Sequence, residues 1–186
     1  MEVREHATLL LNRMSRGDRQ AAEELGPLLE TELGKLARGH LGREARHHTL
    51  DATELVHEAF VRLIKTDDQA FESRQQFFAL ASHVMRSVLV DHARAKGARK
   101  RSASGVRVTL APIAAADASP LDVLAVDEAL SALAEMDEEL GRIAELRLFG
   151  GLDTDEIGDA VGLPRRTVQR RWKVASAWLS KRLVAE

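Results

Sequence analysis

Near the end of this 186-residue chain, two helical periods meet at a tight turn, in TDEIGDAVGLPRRTVQRRWKVASAWLSKRL. Few local structures accept that pattern. Thr154 is placed to cap the first helix, and Asp155 and Glu156 are favourable in its first turn. Ile157 and Val161 form its buried side. Gly162 supplies the turn, Leu163 tucks beneath it, and Pro164 opens the second helix, where a missing N–H costs nothing. In that second helix Val168, Trp172, Ala175 and Leu179 recur at spacings of four, three and four and share one stripe. Arg166, Gln169, Arg170 and Lys173 project from the other side, flanked by Arg165 and Arg171. A short helix, a glycine turn and a basic second helix describe a helix-turn-helix unit. The major groove admits one helix, and Arg and Gln side chains pair with guanine and adenine edges. Arg166, Gln169 and Arg170 are thus candidate base readers, with Arg165, Arg171 and Lys173 completing the basic DNA-binding face. Taken alone, the motif also fits a basic surface helix in an ordinary bundle.

The rest of the chain is helical in period almost throughout. Helices are expected over 3–15, 18–41, 53–65 and 74–98, then over 121–135, 137–149, 153–161 and 164–184. Val106, Val108 and Leu110 alternate but stand alone, so no strand pair is expected. Between these two groups, SASGVRVTLAPIAAADASP has no sustained apolar stripe, and Pro120 then opens a new helical unit. The expectation is an all-α protein of two small domains, 1–101 and 120–186, joined by a flexible linker over 102–119.

Charge is sorted along the chain, although the net value is only −2. Arg94, Lys96, Arg99, Lys100 and Arg101 cluster. From Asp117 to Glu139 every charged residue is acidic, and from Pro164 to Arg182 every one is basic. The absence of cysteine removes disulfides, thiolate zinc sites and cysteine nucleophiles, and suits a reducing cytoplasm. The N-terminal apolar run is too short for a signal peptide or membrane span, so no membrane insertion is expected. His57 and Glu58 lack the second histidine of a zincin helix. His47 and His48 diverge in helical phase, as do His83, Asp91 and His92. With no phosphate loop or nucleophile elbow either, no catalytic residue, metal or cofactor is expected, and the chain does not read as an enzyme.

In the first half, TELVHEAFVRLIK places Leu55, Val56, Ala59, Phe60, Leu63 and Ile64 on one face and Glu54, His57, Glu58 and Lys65 on the other. The next helix buries Phe77, Ala81, Val84, Val88 and Ala95, and exposes His83, Arg86, Val90 and Arg94 before running into the basic cluster. ELVHEAFVRL, VDHARAKGARKR with its Asp91-His92 pair, and LRLFGGLDTDEIGDAVGLPRRTVQRRW together resemble the extracytoplasmic-function (ECF) sigma factors of the sigma-seventy family, in order and spacing, across nearly the whole chain outside the linker.

The resemblance implies promoter DNA and core RNA polymerase as partners. It assigns polymerase docking to Glu54, His57 and Glu58. Minus-ten contacts fall to His83, Arg86, Arg94, Lys96, Arg99, Lys100 and Arg101, beside a base-flipping loop at 66–74. Minus-thirty-five contacts fall to Arg165, Arg166, Gln169, Arg170, Arg171 and Lys173. An anti-sigma factor, or a regulatory kinase acting at Thr53, is a further expected partner. The chain departs from its relatives at His57, Ser87 and Pro164–Arg166. A helix-turn-helix regulator with an N-terminal sensor domain is the competing reading, and co-purification with core polymerase separates the two.

Overall fold

The computed structural model describes residues 52–65, 74–99, 107–108 and 121–184, with single positions between Leu9 and Gly34. Its elements are α1 (Ala52–Lys65), α2 (Arg74–Arg99), β1 (Arg107–Val108), β2 (Leu121–Asp122), α3 (Val123–Met136), α4 (Glu138–Leu148), α5 (Thr154–Val161) and α6 (Arg165–Val184). The fold is helical, and these helix ends lie within two residues of the sequence reading. Positions described before α1 are helical except Asp18, whose carboxylate caps Gln20 and Ala21 at 3.0 and 3.2 Å. Expectations for Lys100, Arg101, the loop at 66–73, and the side chains of Phe60, Leu63, Ile64, Lys65, Lys96 and Arg99 lie outside the described residues.

Two local corrections arise. Arg107 and Val108 pair antiparallel with Asp122 and Leu121, so the segment read as an unpaired linker contributes one strand of a short ladder whose other strand lies just beyond it. The alternation at Val108 was visible, but its partner pair, Leu121 and Asp122, is too short to show any of its own. The cap of α5 is Asp153, not Thr154: its carboxylate accepts from Asp155 N and Glu156 N, both at 2.9 Å. The Glu156 carboxylate accepts in return from Asp153 N–H at 2.9 Å. Capping at Thr154 would put Ile157 at the reciprocal position, where there is no acceptor. Gly162 turns the chain with φ +71°, a conformation that costs an L side chain about 1–2 kcal/mol.

One continuous core joins the two groups of helices. Leu10, Ala21 and Leu25 share it with Leu55 and Ala59 of α1, Phe77, Met85 and Leu89 of α2, Val126, Leu130 and Leu133 of α3, Phe149, and Ala175 and Leu179 of α6. A second, local cluster of Ile143, Leu146, Leu152, Ile157 and Val168 fixes α5 against α6, and Phe78 and Trp172 touch both clusters. Helix α2 packs on α3, α4 and α5 as well as on α1. At the α2–α4 contact the fit is close: Ser82 is wholly buried, its hydroxyl donates to Phe78 O at 2.6 Å, and a Cβ at Gly150 would overlap it.

Candidate nucleic-acid interface

Helix α6 separates its faces as the spacing predicts. Val168, Ala175 and Leu179 are buried and Trp172 half-buried. Arg166, Gln169, Arg170 and Lys173 are exposed, and their side chains have no hydrogen bond or ion pair among the described residues. The flanking cations behave differently. Arg171 donates to Asp137 Oδ2 at 2.6 Å and also meets Glu139, tying α6 to the start of α4. Arg165 is held by Asp155. Arg147 lies over the Trp172 ring at 5.9 Å and donates to Leu152 O at 3.1 Å. Of the six cations and amides read from the sequence, five are exposed, Arg165 among them although it meets Asp155, while half-buried Arg171 ties α6 to α4. The Asp137 carboxyl sits below the ordinary aspartate range. Its hydrogen bond from Leu140 N–H is the largest cause, desolvation opposes it, and Arg171 adds to it.

Around α1 the geometry binds the helix to α2. Nε2 of His92 donates to Glu58 Oε2 at 2.7 Å, and Arg62 donates to Glu58 Oε1 at 2.7 Å. Arg62 also reaches Asp91 at 2.8 Å and Ser87 Oγ at 2.9 Å. The Asp91-His92 pair therefore latches α1. Glu54 and His57 lie exposed on the outer face, and Glu58 is half-buried between the helices.

Burial alone would raise the Glu58 carboxyl, but hydrogen bonds from His92 and Arg62 outweigh it and hold the group below the usual glutamate range. A depressed carboxyl contributes stability above its unfolded pKa, roughly 4.3, and loses it as pH falls through the folded value. Acid melts of wild type and Glu58→Gln should therefore differ above about pH 4.3 and converge below it. A constant gap across that range would mean that the carboxylate does not stabilise the latch. The same network implies that Glu58→Lys loosens α1 as well as altering its surface.

Along the cationic row of α2, His83 and Arg94 are exposed as the sequence reading has them, but Arg86 and Val90 need correcting. Arg86 is only 15% exposed; it donates to Asp127 Oδ1 at 2.8 Å, Asp127 O at 3.0 Å and Ser131 Oγ at 2.9 Å. Glu145 lies 3.6 Å from Arg86 and 3.2 Å from His83 Nδ1. Arg94 reaches Asp127 at 3.5 Å. Val90, between Arg86 and Arg94 on the same stripe, is 4% exposed rather than open. The residues that meet Arg86 come from α3 and α4, which periodicity within α2 cannot report. Ala95, expected in the core, is exposed; its single methyl supplies little drive for burial. The signal that could have found Asp127 was present in the sequence, in the run of exclusively acidic charge that includes it.

Among the described residues, no group of three or more His, Asp or Glu side chains is placed to hold a metal ion, and no helix is long and apolar enough to cross a membrane. The family model of the ECF sigma factors matches residues 4–185, both helical groups and everything between them. The chain belongs to the ECF sigma factor family. It therefore directs core RNA polymerase to promoters for transcription initiation. Comparison with curated proteins finds no match. In this sigma factor the outward polar stripe of α6 is open, whereas Arg86 of α2 is covered by α3.

Proposed function

We propose that this ECF sigma factor reads two promoter elements with its two helical units, 1–101 and 120–186. The minus-ten element meets α2 and the basic cluster that follows it. The minus-thirty-five element meets α6, through Arg166, Gln169, Arg170 and Lys173. The observation carrying this reading is the division of α6 into a buried apolar stripe and an exposed polar one whose members have no described intramolecular partner. An exposed Arg/Gln row on a helix after a tight turn suits a major groove. Phosphate contacts from both units make affinity fall with salt, and the tether raises the effective concentration of the second element once the first is held.

On this reading Glu54 and His57 form the polymerase-facing edge of α1, where charge complementarity sets encounter rate and partner choice. The protein works in the cytoplasm without catalysis of its own, and an anti-sigma factor restrains it. Thr53 lies exposed in the first turn of α1, where the helix dipole favours an added phosphate, so a kinase is a second route of control. Run-off transcription with core polymerase, followed by start-site mapping, tests the assignment. Defined start sites preceded by two spaced elements are expected. Failure to co-purify with core polymerase or to support any initiation would favour a sensor-type regulator instead.

A further inference from the structure

Val174 is one of the large apolar side chains left open to water, 53% exposed. A single exposed valine is ordinary on a protein surface. Its surroundings are not. Helical spacing sets Val174 one turn beyond Arg170 and next to Lys173, beside the outward stripe of α6. Ala177 follows three residues later and Lys181 four beyond that, both exposed. A small apolar step, Val174 and Ala177, thus lies within a row of exposed cations: Arg166, Arg170, Lys173 and Lys181.

We propose that Val174 is a specificity-determining residue: it reads a thymine of the minus-thirty-five element by van der Waals contact with the thymine C5-methyl group. The proposal deepens the assignment of α6 to that element and rests on it.

The cations around the step decide its occupant. Four positive side chains along one helix suit a polyanion such as a DNA duplex. On the base edges of the major groove the thymine methyl is the apolar group, and small apolar side chains contact it. Valine has no polar atom, so it carries no hydrogen bond to a base and recognises only shape and apolar surface. Helix formation does not account for it either. Its β-branch restricts χ1 against the preceding turn, which makes it a poorer helix former than the alanine at 177. With more than half of its surface open, burial offsets little of that loss.

Reach along the helix is consistent with the contact. At about 1.5 Å per residue, Val174 stands about 12 Å along the axis from Arg166 and about 6 Å from Arg170. At about 3.4 Å per base-pair step, these distances are three to four pairs and about two pairs. The thymine therefore falls roughly two pairs beyond the contact of Arg170, on the side away from Arg166. Arginines fill the first two turns of α6, whereas Val174 and Ala177 are short. Short side chains let the third and fourth turns approach the base edges closely enough for a methyl contact.

Uracil differs from thymine only by that methyl group, so the test can isolate it. A minus-thirty-five duplex mapped by run-off has its thymines replaced singly by uracil, and affinity for the full-length protein is measured by fluorescence anisotropy. One replacement, in the stretch beyond the Arg170 contact, should weaken binding about fourfold, the contribution of one methyl group taken out of water. Val174→Ala should bind the parent duplex more weakly by a similar factor and should no longer distinguish uracil from thymine there. Val174→Ile should keep the distinction. The salt slope of Val174→Ala should equal that of wild type, because no phosphate contact is lost. A uracil scan that is flat in wild type, or of equal size in Val174→Ala, overturns the proposal. Mapped elements with no A·T pair in that stretch overturn it as well. If Val174→Ala binds the duplex normally but loses core polymerase, the valine serves a protein contact and the proposal falls. Arg166→Ala and Arg170→Ala separate this failure from that of the underlying assignment. Altered sequence preference in those variants beside a flat uracil scan removes Val174 alone, whereas unaltered preference in both removes base reading by α6 and the proposal with it.

Discussion

Phe149→Ala is expected to destabilise the whole chain by about 3–5 kcal/mol, in one transition rather than two. Phe149 has no exposed surface and is among the largest fully buried side chains. It follows α4 as the C-cap, and it belongs to the same continuous core as Leu55 of α1 and Phe77 of α2. Deleting its ring removes the transfer free energy of the buried atoms and leaves a cavity that neighbours from both helical units line only in part. At this chain length, 3–5 kcal/mol corresponds to a Tm shift of roughly 6–20 °C. Leu55→Ala, in the other unit, should cost about 2–5 kcal/mol and move the same transition. Calorimetry is the appropriate measurement because it resolves separate domain melts. Two resolved peaks, with each substitution moving only one, would show that the units do not share a core in solution.

Local signals carried much of this structure, and long-range ones carried the rest. Helices α1 to α6 were legible because each has an apolar stripe of its own, and several have a chemically marked boundary, such as Pro120 before α3, Pro164 before α6 or Gly162 after α5. The split of α6 into Val168/Ala175/Leu179 and Arg166/Gln169/Arg170/Lys173 follows from the 3.6-residue period alone. Arg171 and Arg165 were less legible, because their partners Asp137, Glu139 and Asp155 lie on other elements. Arg86 and Val90 were misread for the same reason. A helix that packs on one neighbour and is then covered by a second has two buried faces, and its own sequence cannot tell a cation awaiting DNA from one paired with an aspartate far along the chain. The failure falls where α2 meets α3 and α4, a contact that brings together groups distant in sequence. Conflict between local pattern and global fold is expected at such positions.

The outward face of α6 gives the second large effect. Arg166→Ala and Arg170→Ala are each expected to cost roughly 1–3 kcal/mol in minus-thirty-five affinity, about 5- to 150-fold, and to relax preference at one base position each. The helix that carries them is fixed: Val168, Ala175 and Leu179 anchor it from within, Arg171 binds it to Asp137 and Glu139, and Arg147 stacks over Trp172. Such anchoring places the guanidiniums without further ordering, so truncating one removes a base contact and leaves the scaffold intact. Lys173→Ala makes a useful contrast. A phosphate contact carries no sequence information, so its loss should weaken all sequences alike and lower the salt slope by about 1. Arg171→Ala should act differently again, through the tilt of α6 and the stability of its packing on α4. Competition binding against a panel of singly substituted minus-thirty-five duplexes, repeated at two salt concentrations, distinguishes these outcomes. Unchanged sequence preference in both the Arg166 and Arg170 variants would refute base readout by this face, and would leave α6 a phosphate-binding helix whose selectivity comes from DNA shape.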